Sequence, residues 1–135
     1  MSAGRPQPAP VTHVVGRAEI DAYAALSGDR NPLHMDEAYA LAAGFAGVIA
    51  HGPIGLQTAF ELVARWLGED ADAAGVRLDV AFRGPVHLGD EVTCRCEAMH
   101  EHAGDVVLEL RAVNQAGGEV LQALAVVPRG LAPRG

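Results

Sequence analysis

The chain has 135 residues, half of them apolar and a fifth charged, a composition that supports one hydrophobic core and excludes an intrinsically unfolded chain. Its formal net charge of −7 and the lack of a Lys/Arg cluster exclude nucleic acid as the expected partner, because neutralising phosphate takes concentrated positive charge. No apolar run approaches the roughly 18 residues that cross a bilayer, and MSAGRPQPAP lacks an apolar signal region, so the expectation is no membrane partner and a cytoplasmic location.

Residues 1–10 read as a loose, proline-rich arm, followed by one domain over 11–128 and a tail over 129–135. Val11 to Val15 is a short strand, and Arg17 to Leu26 places Ile20, Tyr23, Ala24 and Leu26 at near-helical spacing before Gly28. Asn31-Pro32 breaks the chain. Asp36 to Ala43 is rich in helix formers and stops at Gly44. After the glycine-dense stretch AGFAGVIAHGPIG, Pro53 suits the first turn of a long helix through Ile54 to Leu67. Its apolar residues leave only Gln57, Glu61 and Arg65 as a polar face, so a mostly buried helix is predicted, with Phe60 and Trp66 in the core or a subunit contact.

The second half changes period. Val76 to Arg83 alternates apolar and polar residues, and Glu91 to His100 alternates through Val92, Cys94, Cys96 and Ala98. Asp105 to Val113 follows the turn His102-Ala103-Gly104, and Glu119 to Val127 follows Ala116-Gly117-Gly118; such short gaps make neighbours antiparallel. Cys94 and Cys96 share one strand face without redox or zinc spacing, so they read as small buried hydrophobes. His87, His100 and His102 fall at strand ends or turns and are expected in solvent. The fold class predicted is α+β: a single hot-dog domain, an antiparallel sheet wrapped around a long central helix that has too much apolar surface for a solvated face.

One stretch is left over. In YAALSGDRNPLH, Asp29 and His34 flank a bend that Asn31-Pro32 already makes, and Asp and Asn also serve such turns by bonding local amides. The run Tyr23, Leu26, Ser27, Gly28, Asp29, Asn31, Pro32, Leu33, His34, with Ala40 beyond it, resembles the signature of the MaoC-like family, the (R)-specific enoyl-CoA hydratases. VIAHGPI resembles that family's lead into the central helix and FRGPVHLGDEV its strand entry, so the likeness covers roughly residues 15 to 127. The resemblance implies a hot-dog domain paired as a homodimer, acting on an acyl-CoA or acyl-carrier-protein thioester. The implied activity is reversible syn addition of water to a trans-2-enoyl thioester, giving an (R)-3-hydroxyacyl thioester, with no cofactor. It places Asp29 and His34 on the catalytic positions and Gly52 on the glycine whose amide meets the thioester oxygen.

That chemistry fits the residue types. Water must lose a proton as it attacks C3, C2 must gain one, and charge on the thioester oxygen must be stabilised; a carboxylate and an imidazole serve the first two tasks. Gly52 lies at the start of the long helix, where free amides favour an anion. Asn31 is expected to hold the turn, and His51 to support the helix entrance as a hydrogen-bonded residue. Asp29, His34 and His51 form only a loosely spaced set for zinc, and no metal is expected. Arg83 reads as a solvated edge charge ahead of a phosphate contact. Two other functions compete: a hot-dog thioesterase using Glu61, the one carboxylate inside the long helix, and a non-catalytic acyl-thioester-binding subunit. The first leaves Asp29 and His34 unexplained, and the second is at odds with their joint presence.

Overall fold

Nine elements follow one another in a computed structural model that describes residues 4–68 and 75–135. They are β1 (Val11–Val14), α1 (Arg17–Ser27), α2 (Pro32–Met35), α3 (Glu37–Ala42), α4 (Gly52–Leu67), β2 (Arg77–Phe82), β3 (Glu91–His102), β4 (Asp105–Val113) and β5 (Glu119–Pro128). The strands form one sheet in the order β1-β3-β4-β5-β2, with every neighbouring pair antiparallel. Period-two patterning decides which face is inside: Val106, Leu108, Leu110 and Ala112 of β4 are buried, while Glu109 between them is exposed.

β3 departs from simple alternation. Cys94 faces the core opposite Ala112 and Cys96 lies opposite Leu110, but the register then shifts between Cys96 and Ala98. The bulge carries one extra residue, so Ala98 is exposed and Met99 takes the inner position instead. The expected alternation through Ala98 therefore fails at that residue.

α4 lies against β1, β3, β4 and β5 and buries Ile54, Thr58, Ala59, Leu62, Val63 and Trp66. Each large apolar side chain taken from water there contributes about 1.5–3 kcal/mol. The helix is less enclosed than its composition predicts: Phe60 is 53% exposed, and Gln57, Ala64 and Arg65 are also exposed. One sheet covers one side of a helix, so α4 is buried on that side alone. Beside the open side, Phe60, Val63, Ala64 and Leu67 face Val76 and Leu78 across a cavity of about 180 Å³. A larger cavity of about 480 Å³ lies over the sheet among Asp79, Glu97, Glu109, Gln122 and Leu124.

The described part of the N-terminal arm is tied down rather than loose. Trp66 Nε1 donates to the Pro6 carbonyl at 2.8 Å, Arg5 donates to the Pro133 carbonyl at 2.8 Å, and Pro8 is buried. In the tail the Arg129 amide donates to Gly104 and Ala132 is buried. No helix among the described residues is long and apolar enough to cross a membrane.

Candidate active site

α1 ends at Gly28, whose φ of 77° is the left-handed conformation glycine adopts without strain, and its amide closes the helix on the Ala24 carbonyl. The chain then turns through side-chain caps. Asp29 Oδ1 accepts the Asn31 amide at 3.2 Å, and Asn31 Oδ1 accepts the Leu33 amide at 3.0 Å. Asn31 thereby caps α2, with Pro32 in its first turn, and does the structural work expected of it. This one-turn helix is too short to show as a period in the sequence, yet it is the element that carries His34.

Asp29 is both a turn former and a candidate catalyst. While Oδ1 holds the turn, Oδ2 lies 3.7 Å from His34 Nε2. That separation is too long for a direct hydrogen bond and leaves both atoms within reach of one water. The Asp29 side chain is 52% exposed and that of His34 only 14%, so the carboxylate meets solvent while the imidazole is held by protein.

The hold on His34 fixes its tautomer. Its Nδ1 lies 2.8 Å from the Ile49 carbonyl, which only accepts, so Nδ1 carries hydrogen and the neutral ring presents its lone pair at Nε2, toward Asp29. Ile49 is in turn fixed on both sides: its amide donates to Leu33, the Ala50 amide to Val86, and the Leu88 amide to Val48. The Val86–Leu88 segment is locked by buried Asp90, whose carboxylate accepts the His87 amide at 2.9 Å and Gln115 Nε2 at 2.9 Å. His87 is consequently not a solvated residue as expected: it is half-buried, and its Nε2 is buried without a partner among the described residues. His100 is half-buried, and only His102 of the three is exposed.

His51 is 2% exposed and occupies the N-cap position of α4, the residue before Gly52, without a side-chain capping bond. Its Nε2 donates to the Asp29 carbonyl at 2.9 Å. Its ring stacks on that of His34, with centroids 3.9 Å apart and planes 26° apart, and meets Tyr23 at 4.7 Å. His51 is thus a brace between the Asp29 backbone and the His34 ring. Donor atoms of Asp29, His34 and His51 lie within 4.8 Å of one another. Near-parallel stacked rings do not aim two in-plane lone pairs at one ion, and His51 Nε2 is engaged with a carbonyl, so the set fits a hydrogen-bonded brace better than a tetrahedral metal site.

Gly52 is the first residue of α4, where an amide has no partner inside the helix. It directly follows the histidine that stacks on His34, at the positive end of the helix. The remaining candidates pair with other charged residues. Glu61 pairs with Arg65 one turn along the surface of α4 at 2.7 Å. Arg83 lies 3.7 Å from Glu119, whose carboxyl is held below the usual carboxylate range by its hydrogen bond to Arg111. Sequence reasoning missed the Ile49 carbonyl, because a main-chain acceptor has no residue type to signal it.

Residues 1–116 match the family described as MaoC like domain. The chain is 36% identical over 117 residues to the (R)-specific enoyl-CoA hydratase of Aeromonas caviae, covering 83% of this chain and 84% of that one. It is 31% identical to the 3-hydroxybutyryl-CoA dehydratase of Methylorubrum extorquens, covering 85% and 74%. Its fold superposes on the A. caviae (R)-hydratase structure with a TM-score of 0.73 at 33% identity, over 89% of this chain and 92% of that one. For the R-hydratase PhaJ1 of Pseudomonas aeruginosa the TM-score is 0.72 at 30% identity, over 97% and 83%. By sequence and by fold, this chain belongs to the MaoC-like family of hot-dog enzymes.

Proposed function

We propose that this protein catalyses the reversible syn hydration of a trans-2-enoyl thioester to an (R)-3-hydroxyacyl thioester, with Asp29 and His34 as the catalytic pair. The observation that carries the reading is the 3.7 Å approach of Asp29 Oδ2 to His34 Nε2, two acceptors on one bend that are not bonded to each other. A water donating to both is oriented with its oxygen lone pair free to attack C3. As the C3–O bond forms, the pair takes one proton from that water, the C2=C3 π electrons shift toward the thioester, and the pair returns one proton to C2. No proton is gained or lost overall, and both new bonds form on the face that meets the pair. The Gly52 amide receives the charge that develops on the thioester oxygen, a type of contact worth about 2.7–4 kcal/mol in other oxyanion sites. His51 and Asn31 are positioning residues: one braces the Asp29 backbone and the His34 ring, the other holds the turn.

The same reading includes a homodimer. β2 is an edge strand with unpaired backbone groups, and exposed Phe60 lies on α4 beside it; covering them takes a second chain. Sedimentation equilibrium reads this directly, as twice the chain mass.

The test is an assay of purified protein with crotonyl-CoA and longer trans-2-enoyl-CoAs. The reading requires loss of the conjugated enoyl absorbance with no release of free CoA thiol. Thiol release without hydration would favour the thioesterase, and tight binding of enoyl-CoA without turnover the non-catalytic subunit. The exposed Glu61–Arg65 surface pair gives the thioesterase no activated carboxylate.

A further inference from the structure

Phe82 is an exposed aromatic residue that is nevertheless held in one place. It ends β2 opposite Leu121 and is 56% exposed. The chain directly after it is pinned: the Arg83 and Gly84 amides both donate to the Val120 carbonyl, at 2.7 and 3.1 Å. Gly84 lies so close to the Glu119 carbonyl that a Cβ there would come within 2.7 Å of its oxygen. An ordinary side chain has no room at Gly84. The ring it carries reaches the first turn of α4. A Cβ at Gly52 would lie 3.4 Å from both Cε1 and Cζ of Phe82, so the ring edge flanks the glycine while much of the ring stays open to solvent.

We infer that Phe82 is a substrate-positioning residue whose ring packs on the planar, conjugated enoyl thioester while the thioester oxygen sits at the Gly52 amide. This rests on the hydratase reading of Gly52 given above. The physical case has three parts. A rigid aromatic ring offers a flat apolar surface that suits a flat conjugated group and is matched less well by a puckered saturated chain. It keeps water from the side of Gly52 that it covers, which strengthens the amide's interaction with developing charge. A large apolar ring left in solvent is also otherwise unexplained at the tip of an edge strand.

The experiment compares wild type with Phe82→Leu, Phe82→Tyr and Phe82→Ala, measuring kcat/KM for crotonyl-CoA hydration and inhibition by butyryl-CoA, the saturated analogue. Phe82→Leu and Phe82→Ala should lose roughly tenfold in kcat/KM, the upper end of what one aromatic contact contributes. Phe82→Tyr should stay within about twofold of wild type, since the ring is retained. Inhibition by butyryl-CoA should change much less than turnover, which a merely structural role would not produce. Melting temperature and dimer mass should hold in the leucine variant, and that variant decides the matter should Phe82→Ala fail to fold. A folded Phe82→Leu enzyme with wild-type kcat/KM overturns the inference, as does an equal loss for the saturated and unsaturated ligands. If wild type is active and Asp29→Asn is not, those outcomes sink the role of Phe82 alone; an inactive wild type sinks the hydratase reading with it.

Discussion

Asp29 divides its two oxygens between the turn and the side facing His34, and the proposed hydration chemistry explains why a bend complete in itself also carries a histidine. Oδ1 bonds the Asn31 amide and Oδ2 faces His34 Nε2. In the proposed mechanism both partners reach one water from one side, so hydration run in D2O should deliver deuterium to C2 and hydroxyl to C3 on the same face. NMR coupling constants of the product report this, and anti or scrambled addition would contradict the shared-water geometry. His51 is the next residue to probe. Its Nε2 is the donor to the Asp29 carbonyl, and its burial means that removal leaves that carbonyl without the bond. His51→Ala should therefore lower unfolding free energy by about 1–3 kcal/mol in urea titration and reduce turnover as well; unchanged stability would rule out the brace. At this scale the sequence was partly legible. Asp29, Asn31 and His34 are singled out by the likeness of their run to the MaoC-like signature, whereas the Ile49 carbonyl and the half-buried state of His87 depend on backbone ladders that bring residues 48–50 beside 86–88.

Among the elements, α4 shows best what patterning can and cannot tell. Its apolar content predicts a helix that needs cover, and Pro53 and Gly68 mark its ends, but nothing in the segment says which face a single sheet will reach. Leu62 is 1% exposed and Phe60 is 53% exposed, two residues apart on the same helix. Leu62→Ala should cost about 2–5 kcal/mol of stability. Phe60→Ala should cost no more than about 0.5 kcal/mol within the isolated chain, as an exposed site does. Thermal and denaturant unfolding at low protein concentration check the pair, and equal losses would mean that the helix is enclosed on both sides. The strands were legible from alternation and turn glycines. The bulge at Cys96–Ala98 was not, because an extra residue in one strand is fixed only by its pairing with β4. α2 escaped for lack of length, since four residues hold one turn and no period.

For the whole molecule, the buried Cys94 thiol is expected to give stability a dependence on alkaline pH. Burial pushes the Cys94 thiol up from its ordinary 9.0 to about 12, the hydrogen bond from Thr58 opposing and the nearby Cys96 adding to the rise. Burial likewise raises Cys96. Between 9.0 and about 12 the unfolded chain releases a proton that the folded chain keeps at Cys94, so folding stability falls as pH rises through that window and is unaffected by this group below it. Denaturant midpoints measured at pH 8 and pH 10 should show the fall, and Cys94→Ala should flatten the slope whatever it does to stability itself. The antiparallel run β3-β4-β5 and one long apolar helix could be anticipated from short strand gaps and apolar content, but not the pairing of β1 with β3 or of β2 with β5. The open face of α4 and edge strand β2 could not, because they concern what a second chain would cover. The account stands or falls on the Asp29–His34 pair, and the most direct measurement is hydration of crotonyl-CoA by wild type, Asp29→Asn and His34→Ala, with circular dichroism on each. We predict that each variant stays folded and loses about 10²–10⁴ in kcat, the share usual for a proton-transfer group. Folded variants that turn over at the wild-type rate would contradict it.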